Sequence, residues 1–160
     1  MDNALKKQVL RTFTYGMYIV SCVDEDGTTV NAFTANWVTQ ISFEPPLIAV
    51  SIENISRSLP MIQRTRKFNI NVLRSGDRKL AGDMGKSGLK YPEKMAGVGY
   101  SLGANGVPII NQALAWVACD VRNMVDAGDS TLVVGEVLDI GMLQEGQPLT
   151  MSEAGFKHAG

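Results

Sequence analysis

The chain has 160 residues, enough for one domain with a real core and too few for two comfortable ones. Its formal net charge is −1, so no field of one sign draws it to nucleic acid or to an anionic membrane. Charged residues make up 19% and hydrophobic ones 45%, a balance that suits a subunit hiding part of its surface in an oligomer.

In chain order, Leu5, Val9, Leu10 and Phe13 share one helical face behind Asp2 or Asn3 as a cap, which predicts a short helix closing one end of the core. Gly16 releases the chain into the β-branched and aromatic run from Met17 to Val23. The turn signal at 24–27 and the return from Thr28 then predict a hairpin.

The second arm leads into Asn31-Ala-Phe-Thr-Ala-Asn-Trp-Val-Thr-Gln-Ile-Ser-Phe-Glu-Pro-Pro46, the most informative stretch of the sequence. It opens as a strand and then crowds Thr34, Asn36, Thr39, Gln40 and Ser42 around Trp37. Packing alone does not need so many donors and acceptors around an aromatic, whereas a flat ligand with a polar edge needs both. By itself, Trp37 reads first as a core tryptophan.

Leu47 to Ile52 is a buried strand, and Ser58 to Arg66 has helical spacing, with Pro60 tolerated in a first turn. Phe68 to Leu73 alternates as a half-buried strand. Lys79 to Gly85 is a short helix, and Lys86 to Gly106 reads as a long loop that a ligand or partner holds. Ala113–Val121 and Thr131–Leu138 are antiparallel mates across a turn at 126–129. Six or so short strands, a few short helices and no βαβ alternation predict a mainly β, antiparallel barrel over residues 1–160.

Counting removes several chemistries. Cys22 and Cys119 lie far apart on apolar segments and form no Cys-x-x-Cys pair, as two buried thiols in a reducing cytosol would. The sole histidine, His158, leaves no His-based triad or multi-His metal site. Gly97-Val-Gly99 begins a dinucleotide fingerprint, but Leu102 stands where its third glycine belongs. The start carries no apolar leader, and no run reaches the roughly 20 apolar residues of a membrane span, so a cytoplasmic location is expected. Asn54, Ser56 and Ser58, at a strand-to-helix turn, read either as a phosphate or polyol cradle or as a helix cap. Lys86 and Lys94 read as ligand cations or as solvated loop lysines.

With these residues in hand, the chain resembles the flavin reductase-like family of FMN-binding split barrels, most of all its ferric-reductase and flavoredoxin branch. The resemblance runs from Tyr15-Gly-Met-Tyr-Ile-Val20 to Leu149-Thr150 and includes Asn31–Trp37, Ser42–Pro46, Phe68–Leu73, Gly106-Val-Pro108 and Thr131–Val137. It implies a Greek-key split barrel, a homodimer and non-covalently bound FMN near the subunit interface. By position, Asn31, Thr34, Ala35, Asn36 and Trp37 would line the isoalloxazine, largely through backbone groups. Asn54, Ser56 and Ser58 would follow the ribityl chain and ring edge, Lys94 would lie near the flavin, and Lys86 near the phosphate.

The resemblance further implies NAD(P)H as a transient hydride donor and free flavin, a ferric chelate or a redox protein as acceptor; a non-enzymatic electron carrier is the alternative. Two departures stand out. Gly128-Asp-Ser130-Thr131 has Ser130 where the family carries a flavin-facing histidine. The tail from Ser152 is short, with Phe156 as the ring available to cover the flavin. No catalytic side chain and no metal ligand is expected, since the flavin does the electron chemistry.

Overall fold

The computed structural model describes residues 1–157, so His158 lies outside the described residues. Helix α1 spans Asn3–Leu10, and its cap is Asp2, whose Oδ1 accepts from Ala4 N–H at 2.8 Å and Leu5 N–H at 3.4 Å. The helix is as expected, but its place is not. Leu5, Val9 and Phe13 are each more than half exposed, so α1 does not close the core.

Strand β1 (Tyr18–Val23) pairs with β2 (Val30–Ala35) in the register Tyr18↔Ala35 to Val23↔Val30. Asp26 builds the turn between them: Oδ1 accepts from the N–H groups of Thr28 and Thr29, and Oδ2 from the Thr29 hydroxyl. Those bonds, the Thr29 hydroxyl's first, hold its carboxyl down at about 2. Gly27 takes the left-handed conformation there at φ +68°.

Strands β3 (Val38–Phe43) and β4 (Pro46–Glu53) follow, then α2 (Ser58–Thr65), β5 (Lys67–Val72) and α3 (Arg78–Met84). A short hairpin of β6 (Tyr100–Leu102) and β7 (Pro108–Ile110) precedes the long ribbon of β8 (Ala115–Ala127) and β9 (Ser130–Met142), and α4 (Met151–Ala154) ends the described elements.

The main sheet has seven antiparallel strands in the order β2-β1-β5-β8-β9-β4-β3. Its two edge strands are consecutive in sequence. Laid flat, seven strands would put β2 and β3 about 29 Å apart, since neighbours are ~4.8 Å apart. The link from Ala35 to Val38 through Asn36 and Trp37 reaches only about 10 Å. The sheet therefore has to curl until its edges approach, which makes it a barrel split between β2 and β3.

The barrel is filled by Val20, Val50, Ile52, Phe68, Ile70, Val121 and Val133, with Leu59, Met61 and Ile62 of α2 against them. Gly135 on β9 makes room for the buried Phe68 ring: a Cβ there would lie 2.5 Å from Phe68 Cζ and 2.9 Å from Cys119 Cβ.

Three sequence expectations change. β5 is buried on both faces rather than one, because the β6–β7 segment covers its polar side. Asn69 Nδ2 donates to Val107 O and Pro108 O, while Asn71 Nδ2 donates to Ile19 O and Ser21 Oγ and its Oδ1 accepts from Ile110 N–H. Full hydrogen bonding is what lets two carboxamides sit at zero exposure. The expected loop from Lys86 to Gly106 includes β6. The last two strands each run for 13 residues, longer than the expected pair.

Candidate functional site

A cleft of about 560 Å3 opens at the split in the barrel. Edge strands β2 and β3 each pair on one side only, with β1 and with β4. A strand edge of this kind offers backbone N–H and C=O groups without ladder partners, the groups a polar-rimmed ring requires. On one side stand Asn31, Phe33, Thr34, Ala35, Asn36 and Trp37. Beside β2, α3 and its C-cap offer Ala81, Gly82 and Gly85, which carry little or no side chain and leave room for a ligand. Met151 and Phe156, at the C-terminal end, complete the apolar part.

Several polar side chains here are already engaged. Thr34 Oγ1 donates to Ala81 O at 2.5 Å, fastening β2 to α3, and Asn36 Nδ2 contacts Met151 Sδ at 3.3 Å. Trp37 O accepts from Ser51 N–H at 3.1 Å, holding the link between the edge strands against β4. Asn31 differs from these. It is 2% exposed, its Nδ2 donates to Ser58 Oγ at 2.8 Å, and its Oδ1 is buried without a hydrogen-bond partner. An orphaned buried acceptor on a cleft wall costs free energy until a ligand donor meets it.

The cleft is cationic. Arg57, Lys86, Lys94 and Lys157 line it, against one acid, Glu53. Lys86 Nζ lies 2.9 Å from Asp83 Oδ1, and that carboxylate raises its pKa while offsetting its charge. Lys94 is half-buried and donates to Met84 O at 2.8 Å and Lys86 O at 2.7 Å, with no acidic partner in those bonds. Burial, aided by the nearby Arg57 charge, brings its pKa down to about 8. Beneath Asn31 and Ser58, burial raises the Cys22 thiol to about 11, so it stays protonated at neutral pH.

Of the residues singled out by sequence, Asn31, Thr34, Ala35, Asn36, Trp37, Ser56, Lys86, Lys94 and Phe156 come together here. Three do not line the cleft. Ser58 lies one layer beneath, as the acceptor for Asn31. Asn54 is taken up bracing the β8–β9 turn, donating to Gly128 O and accepting from Thr131 Oγ1. Ser130 is 3% exposed beside that turn, with its hydroxyl donating to Asp129. Sequence reasoning missed Arg57, Phe33 and the small-residue face of α3. The Ala81-Gly82…Gly85 spacing was the available signal for that face.

Comparison with known proteins accords with this geometry. The Flavin reductase like domain family matches residues 10–160. A flavin reductase from Pseudomonas putida is 33% identical over 156 residues, covering 98% of this chain and 89% of that protein. A high molecular weight rubredoxin from Moorella thermoacetica is 35% identical over 145 residues, or 89% of this chain, which spans 62% of that longer protein. Among solved structures, the FMN-binding protein from Thermus thermophilus with bound 1-cyclohex-2-enone superposes with a TM-score of 0.77. The two are 26% identical, over 84% of this chain and 74% of the other. A split barrel with a cationic, aromatic-walled cleft between its edge strands, matched over nearly its whole length, places the chain in the flavin reductase-like domain family of flavin-binding oxidoreductases.

Proposed function

We propose that this chain is an FMN-binding reductase, accepting a hydride from NAD(P)H on the bound flavin and passing electrons to free flavin, a ferric chelate or a redox protein. The observation that carries the reading is the composition of the cleft: Trp37, Phe33 and Phe156 for a flat ring, the backbone edges of β2 and β3 for its polar rim, and a cationic lining for a phosphate. The residues fit the group. Asn31 Oδ1 is a buried acceptor awaiting a donor, and a ribityl hydroxyl or the ring N–H of a flavin supplies one.

A bound flavin would supply the hydride and electron chemistry itself. The chain's own part is placement. Trp37 and Phe33 offer apolar contact, α3 leaves space, and Lys94 offsets phosphate charge. Lys86 contributes less charge, because Asp83 already holds it.

A second reading, an electron carrier with little direct NAD(P)H activity, is favoured by Ser130, which is buried beside Asp129 and holds no charge where the family resemblance implies a histidine. The homodimer belongs to the proposal as well. The apolar face of α1 and the exposed Leu138, Ile140 and Met142 on β9 are surfaces that a second subunit would cover. Calorimetric titration with FMN, followed by sedimentation of the complex, tests both parts. Saturable binding to a dimer supports the proposal, and a monomer that ignores FMN would refute it.

A further inference from the structure

Residues 85–94 run across the Asn31 end of the cleft, with Gly85, Lys86, Ser87, Gly88 and Lys94 in its lining. Little apolar burial holds this segment: Leu89 is 68% exposed and Tyr91 46%. Its own backbone bonds are local, from Lys90 and Tyr91 N–H to Ser87 O and from Lys94 N–H to Tyr91 O. Two cationic side chains tie it down. Arg57, entering from the turn before α2, donates through Nη1 to Gly88 O at 3.3 Å and Pro92 O at 3.2 Å. Lys94 donates to Met84 O and Lys86 O, clasping the root of the same segment. Under these ties the chain lies close on the cleft wall. A Cβ on Gly88 would stand 3.0 Å from Asn31 Nδ2, 3.2 Å from Asn31 Oδ1 and 3.4 Å from Arg57 Cβ.

We propose that Arg57 is a positioning residue that, with Lys94, holds residues 85–94 as a strap over the Asn31 end of the cleft, and that opening of this strap sets how fast a ligand enters and leaves. The ligand's identity rests on the flavin reading above; the strap is a property of the ligand-free protein. A segment fastened to the rest of the fold by the two Arg57 bonds, the Lys94 bond to Met84 O and the exposed Lys86–Asp83 ion pair, with little buried carbon, opens locally far more often than the barrel unfolds. The two Arg57 bonds run from a cation to neutral carbonyls at the middle of the strap, so deleting the guanidinium removes both at once.

The test compares wild type with Arg57→Met, which keeps much of the side-chain stem, and with Gly88→Ala, which wedges the strap off Asn31 without changing charge. Amide hydrogen exchange on ligand-free protein is expected to quicken about tenfold or more within 86–93 in both variants, with the barrel strands unchanged. Stopped-flow release of FMN and of uncharged riboflavin is expected to accelerate together. Faster binding should accompany faster release, so that Kd moves less than the release rate. Unchanged exchange in 86–93 would overturn the proposal. So would faster release of FMN with riboflavin unaltered, because Arg57 would then be a direct phosphate contact. Should neither flavin bind wild type, the flavin reading fails, and the exchange data still decide the strap.

Discussion

Asn31→Ala separates stability from ligand affinity at a single buried atom. In the ligand-free protein the substitution removes an unpartnered Oδ1 and also the Nδ2 that donates to Ser58 Oγ at 2.8 Å. Relief of the orphaned acceptor gains about 1–3 kcal/mol, and loss of the neutral hydrogen bond costs about 0.5–1.5 kcal/mol. The Ser58 hydroxyl can rotate to another partner, with the Cys22 sulfur beside it. Opposed contributions of similar size leave the melting temperature of the ligand-free protein within a few degrees of wild type, or slightly higher.

Affinity has no such offset. A donor on the bound flavin that meets Oδ1 contributes about 1–2 kcal/mol, so Kd should rise roughly 5- to 30-fold. The assay is calorimetric titration of wild type and variant with FMN and with riboflavin, beside thermal melts of the ligand-free forms. The two flavins share ring and ribityl donors, so both should weaken alike. An unchanged Kd for both, with a clearly lowered melting temperature, would show Asn31 to be a structural residue and refute the reasoning.

Other expectations concern charge, ring contact and packing. Lys94 titrates near 8 in the ligand-free protein, below the ordinary 10.5, chiefly because burial disfavours its charge. That penalty is complete below pH 8 and lifts as pH rises from 8 towards 10.5, so this residue's part of ligand-free stability increases across that window. A dianionic phosphate favours the charged form, so FMN affinity relative to riboflavin should fall as pH rises through 8, and Lys94→Met should flatten the difference; a pH-independent ratio in wild type would contradict this. Trp37→Ala should release flavin or shift its visible spectrum, and an unchanged affinity and spectrum would remove Trp37 from the ring contacts. Gly135→Ala should destabilise by about 3 kcal/mol, the upper end for overpacking, because the new methyl group meets fully buried Phe68 and Cys119. In a chain of this size that lowers the melting temperature by roughly 6–12 °C, and a loss of under one degree would mean that Phe68 can move aside.

Much of the barrel was legible because its signals are local: β-branched runs, the Asp26-Gly27 turn and the Gly128 turn. What stayed hidden depends on distant chain. Asn69 and Asn71 alternate with apolar residues as on a half-solvated strand, yet the partners that bury them include Val107, Pro108 and Ile110, more than 35 residues on. The face of α1 was read correctly as apolar, but the described residues leave more than half of Leu5, Val9 and Phe13 uncovered.

The candidate site divides in the same way. Asn31 to Trp37 could be found because one strand and its edge carry both ring and polar groups. Arg57, between the two singled-out serines Ser56 and Ser58, stayed unremarkable because its partners, Gly88 and Pro92, meet it only in the fold. Asn54 and Ser130 show the converse: their positions along the chain matched the family pattern, Ser130 with a different residue type, while the β8–β9 turn consumes their hydrogen bonds locally.

The most direct measurement of the proposed reductase is anaerobic stopped-flow mixing of the FMN-loaded protein with NADH and, separately, with NADPH, followed at the visible flavin band. Rapid bleaching by at least one coenzyme, with colour returning when free flavin or a ferric chelate is added, is the predicted result. A flavin that neither coenzyme bleaches, but that a reduced protein partner does, would contradict the reductase and leave the electron carrier in its place.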